Sequence, residues 1–341
     1  VSDLPGMDVE ALALFMTDNG VVLDGDLNVE LISGGRSNLT FKASDESSAW
    51  VVRRPPTSGL TPSAHDMARE WSVTQALQVT DVPVARTVAF DPDGITLGAP
   101  MTVVEFAPGV VARSQEDIAD WSDAQVDSNT CELVCVLARL HQVDFDSVGL
   151  SDFGKPTGFI ERQVKTWARQ WERVKTRELD DVDHLRRALQ DAVPSSTASS
   201  IVHGDYRVDN VILDKSNVGI VSAVVDWEMS TLGDPLTDVA LMCAYRQPVF
   251  DVVLGMNAAW TSTRYPSADD LAEMYVRESG RELKHWNFYT ALANFKLAVI
   301  GEGITHRALN GADASNGASR AAEATREFAA AGLRALNTST F

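Results

Sequence analysis

The feature that most constrains this chain is a change of character at Pro108-Gly109. Before it, short runs alternate apolar and polar residues, the period-two pattern of half-buried strands. NVELIS (28–33), NLTFKAS (38–44), AWVVRR (49–54), VARTVAF (84–90) and MTVVEF (101–106) all read this way. Pro55 and Pro56 stop the third run, and DPDG separates the last two. Residues 8–20 read as a short amphipathic helix ending at Gly20. A second helix runs through AHDMAREWSVTQAL, with Thr61 and Pro62 as its N-cap and first residue. After Pro108-Gly109 the helical period dominates, at 117–143, 158–179, 181–193, 235–247, 268–279, 284–307 and 318–336. A compact strand-rich insertion lies at 201–226. The expected fold is α+β and bilobal. A small antiparallel β lobe with one inserted helix (1–106) joins a larger, mainly helical lobe (107–341). A cleft between two such lobes is a usual ligand site.

Composition narrows the partners. The 341 residues carry 48 acidic against 29 basic side chains, a formal charge of −19. Such a balance disfavours nucleic acid, whose phosphates need a basic surface, and a polybasic membrane mode. Three cysteines do not make a disulfide scaffold. Cys131 and Cys135 lie four apart on a helix and read as buried core residues. With no signal-like pattern and no long apolar run, the expected setting is the cytoplasm.

The segment Ile201–Asp214, IVHGDYRVDNVILD, carries the chemistry. It reads as strand, polar loop, strand, and holds His203, Gly204, Asp205 and Asn210 as H-G-D-x-x-x-x-N. Twelve residues after Asp214, VSAVVDWE puts Asp226 at the end of another apolar strand. Mg²⁺ takes oxygen ligands and is often held by one or two side chains plus substrate phosphates. Asn210 and Asp226 suit that pair, and Asp205 suits an incoming hydroxyl. One Asp alone is more often a turn residue, but the ordered set of four favours chemistry over turn capping.

HGDYRVDN followed by VVDWEMSTLGDPLTDVA resembles the aminoglycoside phosphotransferase family, which has a protein-kinase-like fold. LISGGRSNLTF, VVRRPP, VVEFAPG, LARLHQVD and KPTGFIERQVKTWARQWE extend the likeness over roughly residues 8–310. They bring it near the kinase-like domain linked to acyl-CoA dehydrogenases. The resemblance implies an ATP- and Mg²⁺-dependent kinase with a small-molecule hydroxyl acceptor, hydroxyacyl-CoA-like or aminoglycoside-like. By the same resemblance Asp205 is the catalytic aspartate, and Asn210 and Asp226 hold Mg²⁺. Gly34, Gly35, Arg36, Ser37 and Asn38 cover the ATP phosphates. Glu105, Phe106 and Ala107 form the hinge at the adenine.

The small-lobe strand has no lysine of the kind that pairs with the nucleotide phosphates in such folds. Arg53, held by Glu70, stands in for it, since Arg binds phosphate bidentately. Strand alternation sends Arg53 and Arg54 to opposite faces, so only one enters the cleft; otherwise the two are a solvated edge pair. The missing lysine motivates a non-catalytic nucleotide-binding module as an alternative. A metal-dependent phosphohydrolase is a second, short of ligands because no second His motif exists. Asp234-Pro235 reads as a helix start, Asp238 as a brace of the loop by resemblance, and His141 as packing beneath it. Glu228 is a metal or substrate contact or a surface turn residue. Trp167 and Trp171 line an acceptor pocket or belong to the core.

Overall fold

A computed structural model describes residues 4–33, 38–57, 66–195, 198–311 and 318–338. The chain opens with α1 (Val9–Asp18), whose N-cap Asp8 accepts from the Ala11 N–H at 3.0 Å. Strands β1 (Asn28–Ser33), β2 (Leu39–Ser44) and β3 (Ala49–Arg54) follow. Next come α2 (Met67–Leu77), β4 (Thr87–Asp91) and β5 (Met101–Glu105). The strands form one antiparallel sheet in the order β1-β2-β3-β5-β4.

Alternation splits this sheet into two faces. Phe41, Val52 and Val103 stand in register and pack with Leu12 and Met16 of α1. The opposite face, reached from β3 through Arg53, turns toward α2. Two expectations need correcting here. Asp66 caps α2, its carboxylate accepting from the Arg69 N–H at 3.0 Å, so the helix starts at Met67; Thr61 and Pro62 lie outside the described residues. And β4 begins at Thr87, because the preceding segment is tied elsewhere: the Pro83 carbonyl accepts from the Val224 N–H at 2.8 Å.

Past β5 the chain crosses to the helical part at Gly109. A Cβ there would lie 2.3 Å from the Leu213 carbonyl oxygen, so the pattern break is also a site of close backbone approach. Helices α3 (Asp123–Gln142), α4 (Phe159–Val174) and α5 (Asp180–Asp191) follow. Two small antiparallel pairs come next. One joins β6 (Ser200–Val202) to β9 (Thr231–Gly233), and the other joins β7 (Val211–Leu213) to β8 (Val221–Val224). The rest is α6 (Leu236–Ala244), the short α7 (Phe250–Leu254), which the sequence reading lacked, α8 (Ala268–Ser279), α9 (Trp286–Leu309) and α10 (Ala318–Asn337).

The fold is therefore the α+β, protein-kinase-like arrangement of a small sheet beside a larger helical body. α9 runs through the middle of that body, packed against α10, α6, α4 and α5. Most of its length is buried with apolar residues on every side, and it carries the buried polar Asn294 and Glu302 among them. Among the described residues no helix is long and apolar enough to cross a membrane. The cysteines correct the sequence reading. Cys131 is exposed and Cys135 half-buried on the outer side of α3, and only Cys243 is core.

Candidate active site

Residues 203–210 form a loop between β6 and β7 whose shape is held from below by one buried carboxylate. Asp238, near the start of α6, accepts from the backbone N–H of His203 (2.6 Å) and of Gly204 (2.8 Å). His141, from the end of α3, adds a contact of 3.3 Å from Nε2, and its Nδ1 meets the Tyr275 hydroxyl at 2.8 Å. Burial alone would raise the Asp238 pKa, but His141 and the backbone donors hold it below the usual carboxylate range. The His203 ring completes the frame. Its Nδ1 accepts from the Asp205 N–H at 3.2 Å, so Nε2 carries the proton and donates to the Val225 carbonyl at 3.0 Å. Gly204 has φ +83°, and a Cβ there would strike the Met229 carbonyl oxygen at 2.7 Å. Glycine is the residue this turn accepts.

Above this frame the side chains of Asp205 and Asn210 meet. Asn210 Nδ2 donates to the Asp205 carbonyl (2.7 Å) and to Asp205 Oδ2 (3.1 Å). The Asn210 Oδ1 is thereby left for another partner. Asp205 Oδ1 accepts from the Tyr245 hydroxyl and lies 3.5 Å from Arg207 Nε. Arg207 also pairs with Asp209 at 2.7 Å and lies over the rings of Tyr245 and Phe250.

The second cluster forms where β8 ends. Asp226 has φ 67° and ψ 56°, the left-handed region that only a few non-glycine residues tolerate. Strain of this kind gathers at functional sites. Asp226 Oδ1 lies 3.4 Å from Arg53 Nη2, and Arg53 Nη1 lies 2.5 Å from Glu70 Oε1. Arg53 thus joins β3, α2 and the end of β8. Burial alone would lower its pKa, yet the two carboxylates raise it, so its charge is secure. Arg54 takes the opposite face and donates to the carbonyls of Gly6 and Leu97. Neither arginine is a solvated edge residue.

Glu228 carries an unsatisfied polar atom, as do Glu70 at Oε2 and Arg53 at Nε. The Glu228 Oε2 is buried without a hydrogen-bond partner among the described residues. Burial, then the Asp226 carboxylate, push its pKa up to about 7. An orphaned buried carboxylate oxygen beside Asp226, with the Asn210 Oδ1, is a donor set of hard oxygens that fits a divalent cation such as Mg²⁺.

Other expected residues lie as follows. Gly34, Gly35, Arg36 and Ser37 are outside the described residues, and Asn38 is buried at the start of β2. The N–H groups of Glu105 and Phe106 are already committed, to the Arg86 and Ala49 carbonyls at 2.8 and 2.9 Å. Neither can donate to a base without breaking a bond of the sheet. The Glu105 side chain instead faces Arg86 at the surface, and Ala107 is half-buried. α6 starts one residue later than read, with Pro235 at its N-cap; Asp234 lies just before it, its Oδ1 accepting from Leu236 N–H at 3.0 Å. The two tryptophans divide. Trp171 is core, bonded to Asp183 at 3.1 Å, whereas Trp167 faces a recess below the loop. Sequence reasoning missed Arg207, Tyr245 and Lys296. Lys296 Nζ donates to the Gly204 carbonyl at 2.9 Å.

Residues 28–274 match the profile of the phosphotransferase enzyme family. The chain is 31% identical to acyl-CoA dehydrogenase family member 10 of Mus musculus over 309 residues, covering 89% of this chain and 29% of that protein. It is 32% identical to acyl-CoA dehydrogenase family member 11 of Rattus norvegicus, covering 90% of this chain and 40% of that protein. The chain therefore spans well under half the length of these relatives. A crystal structure from Ralstonia eutropha, of a protein assigned as an aminoglycoside phosphotransferase, superposes with a TM-score of 0.84 at 32% identity. It covers 98% of this chain and 99% of that one.

Proposed function

Since the chain belongs to the phosphotransferase enzyme family, we propose that it transfers the γ-phosphoryl group of ATP to the hydroxyl of a small molecule, with Mg²⁺. Asp205 orients the acceptor hydroxyl and takes its proton as the oxygen attacks phosphorus and ADP departs. Asn210 and Asp226, with Glu228 beside them, would hold the cation, which would supply neutralisation of phosphate charge. Arg53 exchanges Asp226 for phosphate oxygens when nucleotide enters, and Glu70 keeps it in place. Gly34 to Asn38 cover the phosphates, and Glu105 to Ala107 border the base. Residues 1–106 serve the nucleotide and 107–341 the loop and the acceptor. The setting is cytoplasmic, in keeping with three free cysteines.

The observation that carries this reading is the Glu70–Arg53–Asp226 chain of ion pairs beside the Asp205–Asn210 pair. On this reading Arg53 is the fixed cation, Asn210 and Asp226 are the metal-binding pair and Asp205 is the base, the groups that phosphoryl transfer requires. The acceptor is hydroxyacyl-CoA-like or aminoglycoside-like, the classes suggested by the names of the relatives. An ATP-consumption screen over hydroxylated compounds tests the reading, with Asp205→Ala as control. Wild type consumes ATP in an acceptor-dependent way. Asp205→Ala loses at least ~10³-fold in kcat while ATP affinity stays within about threefold. Retained transfer by Asp205→Ala overturns the assignment.

A further inference from the structure

A narrow recess lies directly beneath the loop, lined by Phe159, Trp167, Met229, Leu292 and the Gly204 backbone, with Lys296 at its wall. Lys296 comes from α9, 92 positions along the chain from Gly204. Its Nζ donates to the carbonyl of the peptide bond that joins Gly204 to Asp205, so this ammonium sits one peptide unit from the candidate base. The same Nζ lies 5.5 Å from the centre of the Trp167 ring. An ammonium has three N–H donors, and the Gly204 carbonyl takes one among the described residues. Burial holds the Lys296 pKa below its ordinary value, and Asp205 and Asp238 offset only part of that.

The recess offers no carboxylate to a cationic ligand. Asp238 does line it, but its oxygens are spent on His203 N–H, Gly204 N–H and His141. A groove outside shares Phe159, Gln163 and Thr231 with the recess and adds Arg69, Lys155 and Arg162 against Asp152 alone. In a chain with a formal charge of −19, this approach is locally basic. A polycationic alcohol would meet an apolar wall, a buried ammonium and a basic rim. An alcohol with an apolar chain and an oxygen anion or carbonyl would meet complementary groups throughout.

We infer that this recess is the acceptor subsite, and that Lys296 is a specificity-determining residue selecting an apolar-chain alcohol that carries a carboxylate or carbonyl oxygen over a cationic one. The inference rests on the phosphotransferase reading and narrows its two acceptor classes.

The test compares hydroxyhexanoate, hexanediol and aminohexanol, which share a chain and a hydroxyl and differ in end group. Binding is read by ligand-observed NMR without ATP, so the result is independent of whether transfer occurs. Wild type should bind hydroxyhexanoate at least tenfold more tightly than aminohexanol, with hexanediol between them. Lys296→Met should erase that order, and Lys296→Arg should restore part of it. Preference for aminohexanol, no binding of hydroxyhexanoate, or an unchanged order in Lys296→Met overturns the proposal. Should Lys296→Met fail to fold, the wild-type order and Lys296→Arg still decide it. If transfer fails while the binding order holds, the phosphotransferase reading falls, and with it the acceptor role, while the selectivity assigned to Lys296 stands.

Discussion

The two halves of the candidate site are held by different forces. The loop at 203–210 is framed by hydrogen bonds to backbone: Asp238 to two N–H groups, His203 to a carbonyl, and Lys296 to a carbonyl. The cluster at Arg53 is framed by ion pairs between side chains, one guanidinium donating to the carboxylates of Glu70 and Asp226. Backbone hydrogen bonds are directional and cannot be traded without moving the chain. Ion pairs can exchange partners at little geometric cost. The loop therefore holds Asp205 in one place, whereas Arg53 is paired in a way that lets a carboxylate be exchanged for another anion, as the proposed function requires.

That contrast can be broken most severely at Asp238. Asp238→Ala leaves buried N–H donors unpaired and should cost about 3–5 kcal/mol of stability, read as a lower midpoint of urea unfolding. A loss confined to the surface-pair range would mean that the frame does not depend on this carboxylate. On the charge side, Arg53→Ala should weaken ATP binding about 10- to 100-fold, the worth of a charge-assisted hydrogen bond, with a smaller effect on acceptor affinity. Isothermal titration with AMP-PNP and Mg²⁺ measures both terms. Arg53→Lys keeps the charge but loses the planar fork, so it should fall between wild type and Arg53→Ala. If Lys is no better than Ala, geometry and not charge governs the cluster.

The smallest effect concerns His141. Burial lowers its pKa below the ordinary 6.5, so the folded protein holds it neutral while the unfolded chain takes up a proton. Below about pH 6.5 the unfolded state binds more protons, and stability falls as pH falls. His141→Gln should flatten the decline in Tm between about pH 6.5 and 5. An equal slope in the variant would assign the decline to other groups.

How legible the site was depends on distance along the chain. β2 and β3 were readable almost to the residue because burial alternates within each, whereas in β1 both Leu31 and Ile32 are exposed and the strand was marked by its residue types. The loop was readable because His203, Asp205 and Asn210 lie within eight positions. The strand period also gave the opposite facing of Arg53 and Arg54. What had no local signal was missed. Tyr245 reaches Asp205 from 40 residues away, and Lys296 reaches Gly204 from 92, each on a helix whose pattern reports only that it is packed. Arg207 lies inside the motif, but at a position the motif leaves unspecified, so nothing hints that its charge will turn back on Asp205. The exposed Cys131 shows the converse limit, since residue type alone does not say which side of a helix faces out. The start of α2 was misplaced because Thr61-Pro62 and Asp66 both carry capping chemistry, and only the Asp66 carboxylate to Arg69 N–H bond selects between them.

The central claim is that this site moves a phosphoryl group onto a hydroxyl. Phosphorus NMR of the reaction with ATP, Mg²⁺ and a hydroxylated acceptor tests it most directly. Phosphoryl transfer at this site gives a new phosphate monoester in step with ADP, absent when Asp205 is replaced by Ala. Inorganic phosphate released without a monoester, or the same monoester formed by Asp205→Ala, would contradict it.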